Sequence, residues 1–241
     1  MNKHPLFSSR TPSTGLLVSL MAGLLAIASL SSCGQPEQAE ELPPAPPPPQ
    51  ERSNKLQTFA WNCLTNGYVV TDYRQADNAM WLFLPGSTTL LPRKAAASGA
   101  KYSNGEFTFW SNANEAILTT PEGDDHCVEN RKASILEDAK LRGVDFRGFG
   151  NEPGWVLEIS ANQMVFITNY GEDSYEFTVT GHEMEPGSRV VTYTSSALGK
   201  DIAVKIIGDV CQDTMEDKAY ETGVEVEFDG NTYKGCGLGL H

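Results

Sequence analysis

Lys94–Leu118 reads KAAASGAKYSNGEFTFWSNANEAIL, and the reading of this stretch decides the fold. Ala95-Ala96-Ala97 leads through Ser98-Gly99 into a short strand, Ala100-Lys101-Tyr102. Ser103-Asn104-Gly105 is a turn. Glu106-Phe107-Thr108-Phe109-Trp110 then alternates and is rich in aromatics, as strands are. Asn-Gly between two such runs is a strong hairpin signal, because both residues tolerate positive φ. The pair predicts a β-hairpin that carries an exposed, small-residue loop at Ser98.

The same punctuation extends on both sides. Leu56–Cys63 alternates, Thr65-Asn66-Gly67 turns, Tyr68–Tyr73 and Ala79–Leu84 are strands, and Pro85-Gly86 closes the second. Thr88–Leu91, Ala116–Thr119 and His126–Val128 complete the set. Many short strands at even spacing indicate an antiparallel sandwich or barrel, and closure removes edges that would otherwise aggregate. Tyr102, Phe107, Phe109 and Trp110 are expected in the barrel core or wall.

Ala97-Ser98-Gly99-Ala100-Lys101-Tyr102, then Phe109-Trp110, then Asn114-Glu115-Ala116, resembles the membrane-bound c-type lysozyme inhibitor family over about residues 56–132. The resemblance implies a small antiparallel β-barrel. It also implies a partner: c-type lysozyme, whose two carboxyl groups flank the glycosidic bond. In the family, the serine of an SGxxY loop enters the cleft and hydrogen-bonds within that pair, while a lysine from a second motif pairs with a carboxylate. The inhibitory loop would here comprise Ser98, Gly99, Lys101 and Tyr102, with Asn112 where the family has its lysine and Ala113 where it has a glycine. Asn112 donates a hydrogen bond without charge, and a charge-assisted bond is roughly twice as strong. Lys101, Arg93 or Lys94 could supply the missing cation.

Residues 1–32 read as a lipoprotein signal peptide. Lys3 and Arg10 precede the uncharged run Gly15–Leu30, which falls short of the roughly 20 residues needed to span a bilayer. It ends Leu30-Ser31-Ser32-Cys33, which resembles a lipobox with Cys33 as the acylated residue. Gly34 rather than Asp follows, which suggests the outer membrane of a Gram-negative cell, facing the periplasm. Residues 33–54 form a Pro/Glu-rich tether, with Pro43–Pro49 nearly all proline.

Charge and cysteines divide what remains. Residues 55–133 carry 7 Lys and Arg against 8 Asp and Glu, net −1; residues 134–241 carry 8 against 19, net −11. Nucleic acid, which needs a basic face, is excluded as a partner. In an oxidising compartment the four cysteines besides Cys33 form two disulfides. Of three possible pairings, Cys63–Cys127 and Cys211–Cys236 respect a split into a barrel at 55–133, a helical linker at 134–145 and a second all-β domain at 146–241. Each bridge is worth about 3.5–4.5 kcal/mol on loop entropy. A zinc site is the rival reading of the cysteines. In the linker, Ile135, Leu136, Ala139 and Leu141 form a short apolar face.

The second domain offers strands at Trp155–Ile159, Met164–Thr168, Tyr175–Thr180, Arg189–Tyr193 and Ile202–Ile207. A hairpin pairs Val224–Phe228 with Thr232–Cys236 across Asp229-Gly230. Its GNEPGW opening (150–155), Cys211–Met215 and Tyr233–Gly237 resemble an uncharacterised family of bacterial envelope proteins, which transfers no activity. Glu152, Asp213, Glu216 and Asp217 are the carboxylates a hydrolase would use, and Asp209, Asp213 or Asp217 those a calcium ion would use. With 19 acids in this half, neither grouping stands out. The chain therefore reads as an all-β, non-enzymatic envelope lipoprotein that needs no cofactor or metal and inhibits c-type lysozyme. The alternative is a non-catalytic lipoprotein that binds peptidoglycan fragments or another envelope protein.

Overall fold

A computed structural model describes residues 56–184 and 186–241. The signal peptide, Cys33 and the tether lie outside the described residues. Eight strands form the first body: β1 (Thr58–Cys63), β2 (Gly67–Arg74), β3 (Ala79–Leu84), β4 (Ser87–Lys94), β5 (Ala100–Ser103), β6 (Thr108–Asn112), β7 (Glu115–Thr120) and β8 (Gly123–Glu129). They pair antiparallel in sequence order and close β8 on β1 into a barrel. Alternation sends Trp61, Val69, Leu82, Leu91, Phe109 and Leu118 inward, where each is almost fully buried.

The Asn104-Gly105 turn is longer than a two-residue hairpin. The Asn104 side chain accepts the N–H groups of Glu106 and Phe107, at 3.1 and 2.8 Å. These residues are thus held in the connection, and β6 begins at Thr108 instead of Glu106.

Cys63 and Cys127, register partners on β1 and β8, are disulfide-bonded, as are Cys211 and Cys236. The zinc reading of these cysteines is thereby overturned. Beside the first bridge, Asp125 is only 5% exposed. It accepts from the Thr65 and Asn66 amides and from Asn66 Nδ2 at 2.7–3.1 Å, capping the β1–β2 turn. Burial pushes this carboxyl up, but the bonds from Asn66 and Thr65 outweigh it and hold the pKa below its ordinary 3.8. The stabilisation is therefore present at neutral pH, begins to fade below the ordinary value, and is lost as pH falls through the lowered one. Asp125→Asn is expected to cost about 1–3 kcal/mol at pH 7. In acid unfolding titrations, the gap to the parent protein should close below about pH 3.8.

Helix α1 (Arg131–Leu141) follows, capped by Asn130, whose side chain accepts from Ala133 N. Its most buried face is not the apolar one expected. Ser134 and Asp138 are buried with Ala139, while Leu141 is half exposed. The reason is the edge of β1: Ser134 Oγ accepts from Ala60 N at 2.9 Å, and Asp138 Oδ1 from Gln57 N and Thr58 N at 3.0 and 3.1 Å. The helix satisfies backbone donors that the barrel leaves open.

Beyond it come β9 (Val144–Asn151), β10 (Gly154–Ser160), β11 (Gln163–Thr168), β12 (Asp173–Thr178), β13 (Glu183–Met184), β14 (Val190–Ala197), β15 (Lys200–Ile207), β16 (Cys211–Asp213), β17 (Lys218–Tyr220), β18 (Thr222–Phe228) and β19 (Asn231–Gly239). Nine of them make one curled antiparallel sheet in the order β12-β11-β10-β9-β19-β18-β15-β14-β13, while β16 and β17 pair separately. Ser195 Oγ reaches Thr178 O at 2.8 Å as the curl brings β14 back towards β12. Phe166, Phe177, Phe228, Trp155 and Met164 fill the core.

Helix and sheet meet in a buried ionic cluster. Glu158, 5% exposed, takes a two-pronged bond from Arg142 at 2.9 and 3.0 Å and a second ion pair from Arg147. Arg142 Nε also donates to Asp138 at 2.9 Å. Burial works against both guanidinium charges. For Arg142 the bonds to Glu158 and Asp138 outweigh it and the pKa rises; for the deeper Arg147 burial prevails and the pKa falls. The cluster joins barrel edge, helix and sheet in one chain of bonds.

Candidate functional site

The loop Ala95–Gly99 between β4 and β5 stands exposed at one end of the barrel. Two features fix it. Trp110 Nε1 donates to the Ser98 carbonyl at 2.9 Å. Gly99, at φ +68°, lies so close to β6 that a Cβ there would sit 2.2 Å from Ser111 O. Only glycine allows both this backbone conformation and this approach.

The same contact brings the two halves of the inhibitor-like pattern together. The position of a Gly99 Cβ is 3.3 Å from Asn112 Cβ, so Ser98-Gly99 and the β6–β7 hairpin present neighbouring surfaces. Asn112 is exposed. Ala113, where the resembled family has glycine, has φ +54°. A left-handed alanine costs about 1–2 kcal/mol, which glycine avoids. Ala113→Gly is therefore expected to raise stability by about 1 kcal/mol, read as an upward shift in the denaturation midpoint at unchanged slope.

Of the two places expected for Trp110, core or wall, it takes the wall. Alternation along β6 turns Phe109 inward and Trp110 outward, where it is 39% exposed. It serves as the brace of the Ser98 loop, a role that the inward position of Phe109 could have indicated. Lys101, its register partner on β5, places Nζ 5.5 Å from the indole centroid. Of the three candidate cations, Lys101 is thus linked to the Ser98 brace. Arg93 is drawn instead to Tyr102, donating to its hydroxyl at 3.3 Å, and Lys94 is exposed opposite Lys101. Tyr102 is 5% exposed and supports the loop from inside the wall; it is not part of the presented surface. Beside the loop, the barrel end opens into a cavity of about 440 Å³, lined by Phe59, Trp61, Tyr73, Tyr102 and Ser111.

The four carboxylates of the second body have separate tasks. Asp213 accepts from Asn151 Nδ2 and Met215 N, Glu216 pairs with Lys132 at 2.8 Å, Asp217 accepts from Gln212, and Glu152 is exposed. Asp209 faces Arg189. Among the described residues, no group of three or more His, Cys, Asp or Glu could hold a metal.

Fold and loop together define a closed eight-stranded barrel that presents a braced, narrow wedge at one end. A family model described as membrane-bound lysozyme-inhibitor of c-type lysozyme matches residues 61–126, all within this barrel. A membrane-bound lysozyme inhibitor of C-type lysozyme from Yersinia enterocolitica (serotype O:8 / biotype 1B) is 34% identical over 93 residues, covering 38% of this chain and 76% of that protein. The chain belongs to this family. No solved structure matches it.

Proposed function

We propose that this protein inhibits c-type lysozyme by placing the Ser98 loop in the active-site cleft, with Ser98 hydrogen-bonding to the catalytic carboxyl pair. The observation that carries the reading is the braced loop. Trp110 and the close approach of Gly99 hold Ser98 ready, so little ordering entropy is lost on binding. Lys101 supplies positive charge beside the loop, and Asn112 contributes a neutral donor where the family has lysine. The protein itself acts as a plug and not as an enzyme. Residues 1–32 direct export, Cys33 carries lipid, residues 34–54 tether the folded part to the periplasmic face of the outer membrane, and the barrel of 55–133 is the inhibitory domain.

The test is a titration of the unlipidated chain into a c-type lysozyme clearing a cell-wall suspension. Half-inhibition below about 1 µM supports the reading. Absence of inhibition at tens of micromolar, with inhibition appearing in Asn112→Lys, overturns it and leaves a barrel that kept the fold and lost the activity.

A further inference from the structure

The three sequence segments singled out in the second body converge, although they are drawn from residues 150 to 236. The GNEPGW turn between β9 and β10, the Cys211–Met215 strand and the Lys234–Cys236 stretch of β19 surround one hollow of about 430 Å³. It adjoins a second, of about 510 Å³, that reaches Trp155 and Tyr170; the two share Phe149, Gly150, Asn151 and Met215. Together they form an open trough along one end of the curled sheet.

Three observations give the trough its chemistry. First, Trp155 is 3% exposed and lies in a groove of glycines. A Cβ at Gly150 would sit 2.2 Å from its Nε1, and one at Gly235 would sit 2.9 Å from its ring. Its indole N–H, at the Gly150 edge of the trough, meets no hydrogen-bond acceptor among the described residues. Second, Asp213 is 5% exposed; Oδ1 accepts from Asn151 and Met215, while Oδ2 carries no hydrogen bond among the described residues. Neither atom is sealed off: among the described residues the buried side-chain nitrogen or oxygen without a partner is Thr222 Oγ1, so the indole N–H and Oδ2 both reach solvent and are open to a ligand. Third, Tyr170 is 82% exposed and sits at φ +57°, between Asn169 at +50° and Gly171 at +103°. A bulky residue in that region is an outlier. The Cδ1–Cε1 side of its ring lies against Gly154, where a Cβ would be 2.5 and 2.6 Å away, and the exposed ring lines the trough.

An exposed aromatic ring, an indole donor and a carboxylate acceptor suit a flat, hydroxylated ring. The negative face of tyrosine attracts polarised C–H groups, and a few placed polar groups fix orientation. The carboxylates Asp213 and Glu152 at the trough oppose an anion, and its openness gives no enclosure to an oily ligand. We propose that this trough binds a saccharide ring, stacked on Tyr170 and hydrogen-bonded at its edge by Trp155 Nε1 and Asp213 Oδ2. It is a second binding site, separate from the Ser98 loop.

The test follows the Trp155 indole N–H by NMR, assigned with Trp155→Phe, while the full chain is titrated with a soluble chitotetraose. A saturable shift is expected. Tyr170→Ala should weaken binding at least about 10-fold, Tyr170→Phe should bind as the parent does, and Asp213→Asn should weaken binding with the melting midpoint preserved. Ser98→Asp should leave this titration unchanged. No shift at about 10 mM sugar overturns the proposal. So does a shift indifferent to Tyr170→Ala and Asp213→Asn, or one produced by an apolar tripeptide probe in place of the sugar.

Discussion

Ser98→Asp is expected to weaken lysozyme inhibition about 100-fold or more, with no change in the melting midpoint. The substitution sets a carboxylate against the catalytic carboxyl pair, and like charges forced together at an interface cost several kcal/mol. Ser98 makes no side-chain bond within the described chain, and its carbonyl bond to Trp110 survives the change, so the fold should not notice. The complementary variant is Asn112→Lys. Restoring a charge-assisted bond is worth about 1–3 kcal/mol, or about 5- to 150-fold in affinity. If both variants inhibit as the parent does, contact is made elsewhere on the barrel.

The second large effect lies far from that loop. Glu158→Ala is expected to destabilise the protein by about 3–5 kcal/mol, because it leaves Arg142 and Arg147 facing one another in the joint without their shared anion. For a chain of this size that lowers the thermal midpoint by about 6–20 °C, readable by calorimetry. Removing the exposed Lys234–Glu225 pair should change it little, since solvent already screens those charges. Below its lowered midpoint, Glu158→Ala should inhibit lysozyme normally, which separates the joint from the wedge.

What could be read from the residues follows from where side chains carry the signal. The barrel strands alternate large apolar and polar residues, and Asn66-Gly67, Pro85-Gly86 and Asn104-Gly105 mark their turns, so the ring of short strands was legible; where β6 begins was not, because the Asn104 side chain holds Glu106 and Phe107 in the connection. The position of Ser98 was also legible, but its brace was not, because Trp110 resembles any aromatic of a core strand until Phe109 is known to point inward. Strand β9 escaped for the opposite reason. Its inward positions Gly148 and Gly150 are bare so that Trp155 and Val224 can approach, which erases the apolar period. The helix presented four apolar residues to the reader and buried two polar ones, since its task is to answer open amides on β1. The cluster around Glu158 draws on residues from helix and sheet, and no local pattern could have assembled it.

The bonds that Asp138 makes to Gln57 and Thr58 also govern how the molecule would bear a load. A pull on the chain ahead of Leu56 enters at these two amides, and behind them stand Arg142 and Glu158. It then runs along β1, which is laced to β2 on one edge and β8 on the other, with Cys63 stitched to Cys127 at its far end. Antiparallel ladder bonds lie across the strand, so such a pull shears them together instead of opening them one at a time. In the ring of eight, β5 lies four places from β1, so the Ser98 wedge stays off such a load path.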